Sequence, residues 1–116
     1  MDPILQQALD FSNYRQTLAI QRKTLKEQMA GKLTYAVNGG IFKVDRVLIN
    51  FVQLLIDQGR NAGVVLLDQN ENPILIEDLE KFKDEIFDRY FSVTLEYYEK
   101  YQKIKSSRSV EKLLDV

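Results

Sequence analysis

Asp68, Asn70 and Asn72 stand at the spacing of the first three ligands of a calcium-binding EF-hand loop. Such a loop offers a hard cation a ring of oxygen donors. The rest of the pattern fails here. Pro73 occupies the position where the loop turns on glycine, and Leu79 the position of the bidentate glutamate. Asp, Asn and Pro are what turn chemistry favours, so the segment reads as an Asx-rich turn. Two carboxylate pairs, Glu80/Asp84 and Asp84/Asp88, are each four residues apart on a helical segment. No basic or amide partner follows them at a diagnostic spacing. They read as a solvated acidic face.

The other routes to chemistry are narrower still. The 116 residues include no cysteine and no histidine. That removes the imidazole base, the thiol nucleophile, the disulfide, and the usual zinc and iron–sulfur ligands. Gly39-Gly40, Gly59 and Gly63 fit neither phosphate-loop pattern and read as turn and cap positions. No catalytic, cofactor-binding or metal residue is assigned, and the chain reads as a non-enzyme.

Binding is better represented than catalysis. Arg15, Arg22 and Lys26 share one face of the first helical segment, with Lys23 beside them. Such a face can track phosphates, pair with acids, or simply be solvated. With no aromatic platform next to it in sequence, nucleic acid is a secondary reading. The last long segment holds Phe82, Phe87, Tyr90, Phe91, Tyr97, Tyr98 and Tyr101, seven of twelve aromatics. Rings at this density read as core in one half and interface in the other. The candidate interface is Phe11, Leu18 and Leu25 with Tyr90, Tyr97, Tyr98, Tyr101 and Ile104.

The elements that must position these residues follow from spacing. Residues 2–30 read as a long helix, with Pro3 in its first turn and Gly31 as its stop. Ile4, Phe11, Leu18 and Leu25 recur every seven residues, but the alternate seam is mostly glutamine, which suits a helix laid on a body better than a coiled coil. Asn38-Gly39 between two β-prone runs predicts a tight hairpin. Tyr35 and Val37 fall on one of its faces, Thr34 and Ala36 on the other. Asp45 caps a second helix to about Gln58, so apolar around its circumference that burial is expected. Residues 62–67 read as a strand covered on both faces, and Ile74-Leu75-Ile76 as its return. From Glu77 to about Lys105, Leu79, Phe82, Ile86, Tyr90, Val93, Tyr97, Tyr101 and Ile104 keep the rhythm of a straight helix.

The expected fold is α+β, in the order α-ββ-α-ββ-α, with a small antiparallel sheet, a buried central helix and two long flanking helices. Residues 1–105 form one domain and 106–116 a flexible or short-helical tail. In element order the outline resembles roadblock-type dimerisation modules and small dimeric secretion chaperones. It departs from the first by lacking a strand before the last helix, and from the second by one strand in the first sheet segment. The net charge of −1 hides an acidic block: residues 77–99 carry 3 bases and 8 acids, between basic ends.

Each long helix, at about 28 residues, spans roughly 42 Å, more than the roughly 35 Å diameter of a compact domain this size. Apolar overhangs are seldom left bare, so a homodimer is expected. The opening Met1-Asp2-Pro3-Ile4 lacks the basic start of a signal peptide, and Val64–Leu67 is far short of a membrane span; a cytoplasmic protein without membrane contact is expected. The leading function is a non-catalytic homodimeric interaction, adaptor or assembly-accessory protein of bacterial or phage type. A small nucleic-acid- or transcription-associated regulator and a ligand-sensing module stand as alternatives.

Overall fold

The computed structural model describes residues 2–114. The elements are α1 (Pro3–Lys32), β1 (Thr34–Val37), β2 (Gly40–Lys43), α2 (Arg46–Asp57), β3 (Ala62–Leu67), β4 (Pro73–Asp78), α3 (Leu79–Ser106) and α4 (Val110–Leu114). The fold is α+β in the expected order, with a short fourth helix added. Packing divides the chain into two compact units, one over Ala30–Thr94, the other over residues 2–29 with 95–114.

In the 30–94 unit, the first hairpin forms as its turn residues require. Asn38 and Gly39 adopt φ of 51° and 82°, and Val37 pairs with Gly40 across the turn. That conformation suits the right-handed twist of the flanking strands. Tyr35 and Val37 pack on the core while Ala36 is exposed. Asp45 Oδ1 accepts the Leu48 N–H at 2.8 Å, capping α2 and contributing about 1 kcal/mol. At the other end Gly59, with φ of 76°, lets its own N–H reach Ile56 O and the Arg60 N–H reach Leu55 O. This is a Schellman closure, which strains a side chain bearing Cβ. The core of the unit joins Phe42 and Val44, Ile49 and Val52 of α2, Leu66, Ile74 and Ile76 of the second hairpin, and Leu79, Phe82 and Ile86 of α3.

Four expectations are corrected. The sheet is two separate two-stranded hairpins, β1–β2 and β3–β4. Ile41 of β2 faces away from β1, and its outward groups meet single partners: its N–H donates to Asp68 Oδ2 at 3.1 Å, and its carbonyl accepts from Gln69 N–H at 2.9 Å. A loop carboxylate, one backbone amide and the Asn38 side-chain amide, which donates to Leu75 O at 3.0 Å, link the hairpins where a ladder would have made one sheet. The central helix is not buried all round: Ile49 and Val52 are, but Val47, Phe51 and Leu54 are 76%, 49% and 51% exposed. Its 12 residues meet the core on one side only. For the same reason β3 is covered on one face; Leu66 is buried while Val65 and Leu67 are exposed. Lastly, α1 continues through Gly31 to Lys32. A glycine inside a helix costs about 1 kcal/mol, which does not end it when φ stays helical.

The rhythm of α3 is realised closely. Leu79, Phe82, Ile86, Val93 and Ile104 are buried, and Tyr90, Tyr97 and Tyr101 half-buried. The helix starts at Leu79, two residues later than expected, because β4 extends through Glu77 and Asp78. Asp78 Oδ1 then accepts the Lys81 N–H.

In the other unit, Leu25, Ile104 and Leu113 form a second core, with Tyr14, Leu18, Tyr97 and Tyr101 packed around it. Of the segment set apart as a tail, residues 110–114 form α4 with Leu113 fully buried, and residues 115 and 116 lie outside the described residues. Tyr14 donates its hydroxyl to Ser107 O at 2.9 Å, fixing the chain just before α4.

Candidate functional site

Asp68 is a buried polar residue held by backbone amides. Its carboxylate accepts from Asn70 N–H at 2.9 Å and Asn72 N–H at 2.8 Å on Oδ1, and from Ile41 N–H on Oδ2. The three donors explain why the EF-hand spacing is a turn here: the oxygens face backbone amides. The Asn72 N–H does most to hold this carboxyl below the ordinary carboxylate range; desolvation opposes it, and the Ile41 and Asn70 amides reinforce it.

A carboxyl with a lowered folded pKa stabilises the fold above the unfolded value, near 3.9. That stability is lost as pH falls through the lower folded value. Asp68→Asn is expected to lower the urea midpoint at pH 7, and to flatten the fall in stability below about pH 4. Urea titrations of both proteins at neutral and acidic pH check this. An unchanged midpoint, or an equal acid slope, contradicts it.

The expected interface residues have separate placements. Leu25 and Ile104 are 6% and 1% exposed and belong to the chain's own second core, with Leu18, Tyr97 and Tyr101 against it. Tyr90 packs on the core of the 30–94 unit. Phe11 and Tyr98 are open to solvent, at 62% and 59% exposure. Arg15, Arg22, Lys23 and Lys26 are all exposed.

The apolar surface that spacing did not indicate lies in the 30–94 unit. Val47 and Phe51 of α2 and Leu67 of β3 surround one shallow depression of about 260 Å³, with Lys43 and Asp45 also on its lining. Val65 shares a strand face with Leu67, and its cross-strand partner Leu75 is also exposed. The available signal was the apolar excess of α2 and β3. That excess predicts burial within the chain, whereas one face of each element remains bare.

Among the described residues no group of three or more carboxylates could hold a metal ion, and no helix is long and apolar enough to cross a membrane. One groove, about 1070 Å³ and open to solvent, runs beside α1 past Phe11, Tyr14 and Ile20 to Arg108–Glu111. Compared with family models, with curated proteins and with solved structures, the chain matches none. The fold is α+β, and its candidate sites are surfaces.

Proposed function

We propose that this protein is a non-catalytic, homodimeric interaction or adaptor protein, an assembly-accessory factor of bacterial or phage type working in the cytoplasm. The observation that carries the reading is the exposed apolar set of Val47, Phe51 and Leu67 around one depression. Isolated exposed apolar residues are ordinary, but a contiguous set across a helix and a strand marks a contact surface. Val47, Phe51 and Leu54 follow 4 and 3 spacing, the stripe that two helices bury against each other. Lys43 and Asp45 give the lining both signs of charge, so a second copy turned through a two-fold axis offers each charge an opposite one.

Phe51→Asp places a charge in this surface without touching the buried residues of α2. It is expected to weaken self-association at least about thirtyfold, the effect of losing one aromatic anchor. Light scattering across micromolar concentrations measures this, and a thermal melt verifies that the variant is folded. A wild-type mass of 13.6 kDa throughout that range would falsify the dimer.

A further inference from the structure

The unit built from residues 2–29 and 95–114 brings together what the sequence keeps apart. Arg22 and Lys26 of α1 and Tyr97 and Tyr101 of α3 line one cleft of about 160 Å³ floored by Leu25. The two tyrosine rings lie nearly parallel, 6.3 Å apart and 23° between planes. Both are half-buried, so each keeps some surface toward solvent. No carboxylate is among the residues lining the cleft. Glu96, the acid on the preceding turn of α3, pairs with Lys100 at 3.0 Å.

The pattern extends along α1. Phe11, Arg15, Arg22 and Lys26 follow 4, 7 and 4 spacing, which holds them on one strip of the helix. The Arg15 guanidinium lies 5.9 Å from the centre of the Phe11 ring, and both side chains are exposed. Phe11 to Lys26 spans about 22 Å of helix. The strip therefore carries two ring-and-cation groups, Phe11 with Arg15, and the tyrosine pair with Arg22 and Lys26. Beyond Phe11, the basic face gains from α3 a tyrosine platform that is distant from it in sequence.

We propose that this strip binds single-stranded nucleic acid. Phosphates pair with the cations, and unpaired bases stack on ring faces, an arrangement tolerant of sequence because every base has a π-face. A duplex hides those faces within its own stack, so the rings add little to duplex binding. The sites named here are separate from Val47, Phe51 and Leu67, so the proposal does not depend on the dimer.

The test is fluorescence anisotropy with labelled oligothymidylate and oligouridylate of about 16 nucleotides, and with a duplex of the same length, at about 50 mM salt and above. The expected result is binding of a single strand in preference to the duplex, weakening with salt; the two oligomers distinguish DNA from RNA. Phe11→Ala is expected to reduce single-strand affinity roughly fivefold to a hundredfold. The double change Arg22→Ala and Lys26→Ala is expected to flatten the logarithmic salt slope by about 1.4. All three positions are exposed, and circular dichroism confirms that the variants fold. No binding at low salt overturns the proposal. So do equal affinity for the duplex, and affinities unmoved by these substitutions.

Discussion

Phe82→Ala is expected to remove about 3–5 kcal/mol of stability, the range for deleting a buried aromatic ring and leaving a cavity. Phe82 is 3% exposed, and its ring meets two others, Phe42 edge-on at 5.1 Å and Tyr35 tilted at 5.8 Å. It thereby joins α3 to both strands of the first hairpin. Each such pair adds about 0.5–1.5 kcal/mol beyond the area buried. Domains of this size are stable by only about 5–15 kcal/mol, so the loss is a large part of the total. Urea denaturation gives the magnitude. Hydrogen exchange gives the place, with protection falling across Ala30–Thr94. A loss below about 1 kcal/mol would show that the three rings do not carry this unit.

Leu113→Ala is the second large effect, and it has a different form. A five-residue helix has no stability of its own, because nucleation alone outweighs what so few hydrogen bonds return. What holds α4 is Leu113, fully buried against Leu25 and Ile104. Truncating a buried leucine costs about 2–5 kcal/mol, more than a helix of this length can offset. The expected outcome is therefore local release. The amides of residues 110–114 exchange freely, and trypsin cuts at Arg108 faster than in the wild type. Unchanged proteolysis and exchange there would mean that the capping of α4 by Ser109 and the Tyr14–Ser107 hydrogen bond hold the segment without Leu113.

What was legible in the sequence was set by near neighbours. The Asn38-Gly39 turn, the Asp45 cap and the closure at Gly59 depend on a few consecutive residues, and all three form as their chemistry demands. The rhythm of α3 was equally plain, because a straight helix presents one face whatever lies opposite it. What covers a face was not legible. The apolar circumference of α2 and both faces of β3 implied burial, but whether the cover comes from the same chain or another is a tertiary fact. Composition is the same in either case. The tyrosine platform was hidden for a related reason. Arg22 and Tyr97 are far apart in sequence, and only helix packing brings them to one cleft. The resemblance in element order to known dimeric modules was similarly local, and the comparison with solved structures does not extend it.

The link between the two hairpins at Ile41 also bears on solubility. A short exposed hairpin ordinarily presents an open row of amides and carbonyls, a template on which a strand from another molecule can grow. On β2 the outward groups of Ile41 are already taken by Asp68 and Gln69 of the same chain. The side of Gly40 is closed as well: a Cβ there would sit 2.6 Å from Ile74 Cγ1. An incoming strand would have to displace a charged, hydrogen-bonded carboxylate to bond at Ile41. The Asp68 turn thus acts as a stopper at this stretch of the β2 edge.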